Sequence, residues 1–296
     1  MHDANTDADK TSQASATDIN CPFESLAEFE SELTQALKND QFILHLQPKV
    51  DLSTWSIQGV AVLLRWKHPQ QGIIPPAMFI PRLEQTGMIV DVGQWVLGEA
   101  CELNRQWQVS GLSPVQIAIN VSGTQLSHTG FAETVCGILD NTNLPAEFLA
   151  LEFTENGLFT DTASNIKVCN QLRNKGIKLA LDYSGKGYTS IEDISQLPID
   201  IIKLDKELIH HIAHSQEHRA IMATILGFAH QNRLRVVAKG VETAEQLLFL
   251  NAMHCTSAQG FLLAHPMSVE NFEKLYRTEP RYEYLIEKIS HHWQTK

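Results

Sequence analysis

The stretch IKLALDYSGKGYTSIEDISQLPIDIIKLDK, residues 177–206, contains two short apolar runs, and each run leads directly into charged residues. Apolar runs of this length, separated by a helical segment, are typical of parallel strands buried on both faces. Six further runs of the same kind occur: FILHLQPKV (42–50), SIQGVAVLLRW (56–66), QIAINVS (116–122), FLALEFTE (148–155), LRVVAKG (234–240) and SAQGFLL (257–263). Eight strands within about 250 residues predict an α/β fold of the TIM-like (β/α)8 barrel type. A doubly wound open sheet is the alternative.

The polar composition of residues 1–22 predicts a disordered N-terminal segment. An amphipathic helix over 25–39 opens the folded part, for which we expect one barrel domain over 23–275. Residues 276–296 are expected to form a C-terminal helical extension, which either covers the outer surface of the barrel or docks a partner.

Composition excludes several classes of protein. A formal net charge of −11 over 296 residues argues against broad binding to DNA or to anionic membranes. Five scattered cysteines without a C-x-x-C pair argue against a disulfide framework and a zinc site. No apolar run reaches the roughly 18 residues of a membrane span, and no export signal is present, so a cytoplasmic location is expected.

Polar side chains stand at the ends of separate predicted strands. In a barrel of this type the carboxyl ends of the strands meet at one mouth, where function is located. The residues at these ends are Gln47, Asn120, Glu152, Glu155, Asp182, Lys203, Asp205, Lys239, Glu242 and Gln259. Each alone could be a strand-end group satisfied by solvent, but together they favour a site. Oxygen ligands suit Mg²⁺ and lysines suit phosphate, so the set indicates a phosphoryl-type site.

The order of these motifs resembles the EAL-domain family over roughly residues 25–275. The matching landmarks are Gln47-Pro48, Leu63-Leu64-Arg65-Trp66, Phe79-Ile80-Pro81, Ile119-Asn120-Val121-Ser122, Glu152 to Glu155, Leu179 to Gly187, Pro198 to Asp205, Val237 to Thr243 and Gln259-Gly260. The resemblance implies a TIM-like barrel with one antiparallel strand, which we assign to FILHLQPKV. It also implies a link to cyclic-di-GMP, which the active members hydrolyse with divalent metals.

Three positions depart from the active pattern of the family. The signature Glu corresponds to Ala61, the second Asp of the Asp-Asp pair to Tyr183, and the general-base Glu to Lys239. The resemblance leaves Asn120, Glu152 and Asp182 as remnant metal ligands, and Lys203 and Glu155 as remnant catalytic residues. A methyl group cannot ligate a metal and an ammonium cannot accept a proton, so we expect an inactive homologue that requires no metal. Mg²⁺ or Mn²⁺ would be needed only for residual activity.

Lys239 has two interpretations. Its ammonium, together with Lys203, could neutralise Glu152 and Asp182 in place of metal, or it could point to solvent. For nucleotide binding, the resemblance implicates Gln47, Leu63, Arg65, Asn120, Asp182, Lys203, Asp205, Glu242 and Gln259. Arg65 could grip phosphate oxygens or serve as a packing residue beside Trp66.

Three functions remain open. The first is a regulator that binds cyclic-di-GMP without hydrolysing it and passes the signal to a protein partner. The second is a protein-interaction regulator that is independent of nucleotide, as Ala61, Tyr183 and Lys239 together suggest. The third is a residual cyclic-di-GMP phosphodiesterase. The resemblance also implies a homodimer, formed near residues 183–200.

Overall fold

The computed structural model describes residues 25–185, 190–278, 281 and 282. Ten strands form one sheet, with the following bounds: β1 Phe42–Asp51, β2 Ile57–His68, β3 Gly72–Ile74, β4 Gln116–Val121, β5 Leu149–Thr154, β6 Lys178–Tyr183, β7 Ile201–Leu204, β8 Arg235–Lys239, β9 Ser257–Gln259 and β10 Met267–Ser268. Each of the eight strands expected from the sequence is present.

Eight of the strands close into a barrel, in the order β1-β2-β4-β5-β6-β7-β8-β9 and back to β1. The six pairs from β2–β4 through β8–β9 are parallel, whereas β1 is antiparallel to both β2 and β9. Short β3 and β10 extend the sheet beside β2 and β1. The predicted TIM-like barrel with one antiparallel strand is therefore confirmed, and FILHLQPKV is the reversed strand.

Helices follow most of the parallel strands and surround the barrel. Their bounds are α1 Leu26–Lys38, α2 Pro76–Thr86, α3 Ile89–Val109, α4 Gly123–Leu126, α5 Phe131–Thr142, α6 Glu155–Phe159, α7 Thr162–Asn174, α8 Ile191–Ser195, α9 Lys206–His211, α10 Gln216–Gln231, α11 Ala244–Ala252 and α12 Val269–Thr278. Local sequence specifies many of their starts. Ser122, Ser190 and Thr243 form capping boxes, in which the side chain accepts from a backbone N–H that the first turn leaves without a partner.

The strands divide their side chains between two environments. Outward-facing residues such as Ile202 and Val236 join the large apolar core between sheet and helices. Inward-facing residues alternate with them, and Ala180, Ile201 and Val237 form a separate small cluster inside the barrel. Because this interior layer is small, the lumen above it has room for longer polar side chains.

The expected terminal segments lie largely beyond the described residues, as do all of residues 1–22 and 283–296. Helix α12 continues to Thr278, so the expected boundary at 275 falls within its last turn. Beyond it, Tyr282 is buried and its backbone N–H donates to the carbonyl of Trp55 at 2.7 Å. None of the helices in the described part of the chain has the length and apolarity needed to span a membrane.

Candidate functional site

A buried carboxylate with two lysines lies inside the barrel. Glu152 on β5 accepts a hydrogen bond from the Nζ of Lys203 on β7. The second Glu152 oxygen lies 3.7 Å from the Nζ of Lys49 on β1, and all three side chains are at most 4% exposed. The closed barrel brings these three strands around one point, so the single negative charge is compensated from two sides.

Burial and charge oppose each other in this group. Burial lowers the pKa of Lys49 to about 8, although the negative charge of Glu152 acts in the other direction. Burial alone would raise the pKa of Glu152, but the charges of Lys203 and Lys49 outweigh it and hold that pKa below its usual value. Glu152 is therefore a carboxylate at neutral pH.

A second ion pair lies nearer the mouth. The Nζ of Lys239, at the end of β8, donates to both carboxylate oxygens of Asp182, at the end of β6, over 2.9 and 2.7 Å. Asp205 lies 3.9 Å from the same Nζ. Of the two interpretations of Lys239, the structure therefore has the one in which its ammonium pairs with the remnant carboxylates.

Hydrogen bonds between two glutamines connect β1, the reversed strand, with β9 and the segment that follows it. Gln259 donates from Nε2 to the Oε1 of Gln47 at 2.7 Å, and Gln47 donates to the carbonyl of Ala264 at 3.0 Å. Ala61 stands opposite Gln47 in the β1–β2 ladder and is 2% exposed. At the position that the resemblance assigns to the signature Glu, the barrel wall therefore has a buried methyl group.

Glu155 and Tyr183 lie on the outer side of the mouth. Glu155 is buried, and its Oε1 accepts from the backbone N–H and the hydroxyl of Ser184, at 2.6 and 2.7 Å. Tyr183 follows inward-facing Asp182, so it faces outward, where it packs against the apolar core. Burial raises its pKa, and the charge of Glu155 raises it further, so its phenol is neutral. Tyr183 therefore packs away from the Asp182 carboxylate.

An apolar cavity of about 430 Å³ lies near three of the residues predicted to bind nucleotide. Leu63 and Asn120 line this cavity, which lies between the ends of β2 and β4 and the helices α2 and α3. Arg65 is half-buried, and its Nη1 donates to the carbonyl of Leu64 at 2.9 Å. Glu242 is exposed beyond the end of β8. The mouth thus combines paired lysines and carboxylates with an apolar recess.

The donor set does not suit a divalent metal ion. Mg²⁺ and Mn²⁺ need several oxygen ligands that are free of other cations. Both oxygens of Asp182 are engaged by Lys239, and Glu152 is compensated by Lys203 and Lys49. The described residues also contain no group of three or more His, Cys, Asp or Glu side chains suited to holding a metal.

Sequence reasoning missed some residues of the mouth. Lys49 was not singled out, although a lysine within an apolar strand run was a signal. The contact between Glu155 and Ser184 and the stacked rings of Phe261 and His265, with centroids 4.2 Å apart, had no sequence signal. Lys186, in the loop after Asp182, lies outside the described residues.

Comparison with known proteins gives consistent matches. A family model described as the EAL domain matches residues 30–266. The chain is 39% identical over 239 residues to the bifunctional diguanylate cyclase/cyclic di-GMP phosphodiesterase MucR of Pseudomonas aeruginosa, covering 81% of this chain and 35% of that protein. The cyclic di-GMP phosphodiesterase NbdA of the same organism is 36% identical, covering 84% of this chain and 32% of that protein.

A solved structure described as the PaMucR phosphodiesterase in complex with c-di-GMP is also similar. Its TM-score is 0.78 at 39% identity, and the match covers 82% of this chain and 98% of that one. The chain spans about a third of the length of the two curated relatives, at 35% and 32%.

Proposed function

The chain belongs to the EAL domain family, and from this premise we propose that it is a regulator that binds cyclic-di-GMP without metal and without hydrolysing it. The bound state would be passed on to a protein partner. The observation that carries the absence of metal and of hydrolysis is the contact of the Lys239 ammonium with both oxygens of Asp182.

The same contact argues against hydrolysis. An ammonium has no lone pair with which to accept a proton from water, so Lys239 cannot act as a general base. It also places a positive charge beside the carboxylates where metal ions would have to bind. Ala61 supplies no ligand. Loss of a general base alone costs about two to four orders of magnitude in rate, and loss of metal activation adds to this.

Several side chains and a cavity support the proposal that the domain binds the nucleotide. Arg65 and the partly compensated Lys239 provide positive charge near the mouth, which suits the two phosphates of a cyclic dinucleotide. The apolar cavity beside Leu63 and Asn120, about 430 Å³ in volume, has a size and lining suited to a purine base. Phe261, one residue beyond Gly260, stacks on His265 and is still 52% exposed, so part of its ring is accessible to a base.

A nucleotide-independent regulator is the second candidate, and one observation favours it. The Lys239 ammonium already contacts Asp182 and has Asp205 at 3.9 Å, so its charge is partly compensated before any phosphate arrives. Binding at the mouth would then depend on Arg65 and the apolar recess. If these do not suffice, the barrel acts through protein contacts alone.

Calorimetric titration of the full chain with cyclic-di-GMP tests the proposal, first with Mg²⁺ and then with EDTA. The nucleotide is recovered afterwards and separated by chromatography. We expect equal binding in both buffers and unchanged nucleotide. Absence of heat at high micromolar nucleotide would favour the second candidate. Mg²⁺- or Mn²⁺-dependent formation of the linear dinucleotide, abolished by Glu152→Ala, would show a residual phosphodiesterase.

A further inference from the structure

The reversed strand leaves an opening in the ring of helices. In a (β/α)8 barrel each strand is followed by a helix that covers its neighbourhood, but β1 turns directly into β2 through a hairpin. Helix α12 lies against β1, yet it begins only at Val269, after β10 has paired with His45 and Leu46. The start of β1 is therefore left beside a groove.

Helices α3 and α12 form the walls of this groove. They are joined where Trp107 donates from Nε1 to Glu273 at 2.8 Å and packs on Phe272. Toward Trp95 a cavity of about 450 Å³ opens between α3, β1 and the start of α12. We name it the α3–α12 groove. Leu44, Leu103 and Val269 give it an apolar floor, and Trp95 lies at its edge against Phe42.

The rim of the α3–α12 groove is acidic. Glu99 and Glu102 on α3 and Glu270 on α12 are exposed along it, and no Lys or Arg of the described residues lines the groove. Burial lowers the pKa of His45, and the charge of Arg65 lowers it further, so this lining imidazole is neutral at neutral pH. The rim thus carries negative charge without a compensating cation among its described lining residues.

The two acidic residues on α3 are unfavourable for the isolated domain. Glu99 and Glu102 are three positions apart on one helix, where like charges repel each other. Partial burial raises the pKa of Glu99, and the charges of Glu102 and Asp40 raise it further. Glu270, in contrast, favours the start of α12, where hydrogen bonds from the Ser268 side chain and from its own backbone N–H lower its pKa. A cationic partner would relieve the repulsion between Glu99 and Glu102.

We propose that the α3–α12 groove docks a basic amphipathic helix of a partner protein. The helix would place apolar side chains on the floor and Lys or Arg side chains beside Glu99 and Glu102. It would lie beside the start of β1, between α3 and the first turn of α12. Trp95 presents a half-buried indole to an arginine or lysine of the partner. This proposal does not depend on nucleotide binding at the mouth.

The probe is a fluorescent synthetic helix of about 18 residues, with leucines on one face and lysines flanking them. Its twin carries glutamate at each lysine position. Binding to the full chain is followed by fluorescence anisotropy at low and at physiological salt. We expect the acidic twin to bind at least about tenfold more weakly than the basic probe. Added salt should weaken the binding of the basic probe.

Matched charge changes locate the site. Binding of the basic probe should be weaker in Glu99→Gln/Glu102→Gln. It should be weaker by at least about tenfold in the charge reversal Glu99→Lys/Glu102→Lys. The control Glu30→Lys/Glu133→Lys changes the net charge equally on exposed faces of α1 and α5 and should alter binding by less than about twofold. No binding of the probe, equal binding of the acidic twin, or equal weakening by the control would overturn the proposal.

Two other occupants would also overturn it. If light scattering shows a dimer of the full chain that Glu99→Lys/Glu102→Lys converts to monomer, the groove contacts a second copy instead. If the probe binds only after Leu285→Glu/Ile289→Glu, the chain's own C-terminal segment occupies the groove. Neither outcome affects the nucleotide titration, so the two proposals can fail separately.

Discussion

The Lys239 ammonium lies 2.9 and 2.7 Å from the two carboxylate oxygens of Asp182, across strand β7, which separates their strands. The side chains are 27% and 19% exposed, so water screens the pair only partly. Because this ammonium lies where the resemblance would place metal ions, the folded state should be indifferent to divalent cations.

Thermal unfolding should therefore give the same midpoint in EDTA and in millimolar Mg²⁺ or Mn²⁺. Lys239→Ala should lower the free energy of unfolding by about 1–3 kcal/mol, because it leaves Asp182 poorly compensated in a partly buried site. Lys167→Ala, on an exposed face of α7, is the matched control and should have little effect. An unchanged midpoint in Lys239→Ala would contradict the inferred role of the pair.

The buried pair of Glu152 and Lys203 should contribute more to the free energy of unfolding than the pair of Lys239 and Asp182 does. Lys203→Met removes the ammonium that donates to Glu152 and leaves a buried carboxylate with only Lys49, 3.7 Å away. Removing one partner of a buried pair costs about 3–5 kcal/mol. The double variant Glu152→Gln/Lys203→Met should recover part of that loss because it removes both charges. Urea unfolding of the wild type and both variants measures this, and a double variant no more stable than Lys203→Met would count against the argument.

Stability should rise with pH through the titration of Lys49. Its pKa in the folded state, about 8, lies below the ordinary value of 10.5 that applies when the chain unfolds. Between these values the unfolded chain binds more protons, so the free energy of unfolding increases with pH. The cost of burying a charged Lys49 is fully present below pH 8 and is relieved toward pH 10.5.

Lys49→Met tests this pH dependence. The stability of the wild type relative to Lys49→Met should increase by on the order of 3 kcal/mol between pH 8 and pH 10.5, as measured by urea unfolding at several pH values. Lys178→Met, on the more exposed end of β6, provides the comparison. A difference between wild type and Lys49→Met that stays constant with pH would show that Lys49 does not titrate in this range.

Arg65→Gln should weaken the binding of cyclic-di-GMP by about tenfold or more if the Arg65 guanidinium contacts phosphate. The side chain is half-buried, and its recorded hydrogen bond goes to the neighbouring Leu64 carbonyl, so much of its donor capacity is available to a ligand. Arg105→Gln, on α3, is the control. Calorimetry in EDTA measures both, and equal affinities would assign Arg65 to packing instead.

Restoring the three altered positions should restore a metal site. In Ala61→Glu/Tyr183→Asp/Lys239→Glu, two carboxylates replace the buried Ala61 methyl group and the ammonium that contacts Asp182, and a third replaces the outward-facing Tyr183 phenol at the position that the resemblance assigns to the second Asp. We expect Mn²⁺ to raise the melting temperature of this variant and not that of the wild type. Circular dichroism first establishes that the variant is folded. A folded variant that does not respond to Mn²⁺ would mean that other residues prevent metal binding.

The sequence by itself determined the strands and the barrel. An apolar run such as QIAINVS indicates that its segment is buried, and this pattern can be recognised from the residues of that segment alone. That Ala61, Tyr183 and Lys239 replace a signature Glu, an Asp and a general-base Glu is a prediction from the resemblance, which rests on their positions within the motifs. Where the resemblance was needed, as for the reversed direction of FILHLQPKV, periodicity alone carried no information about strand direction.

Only the tertiary structure decided which charges meet. Lys203 could have paired with either carboxylate, and the barrel places it on Glu152 while Lys239 contacts Asp182. Lys49 faces inward because of its position in the reversed strand, and Tyr183 faces outward because it follows Asp182. The α3–α12 groove joins residues far apart in the chain. Pairing of this kind depends on the closure and register of the sheet, and these depend on contacts between segments that no local pattern encodes.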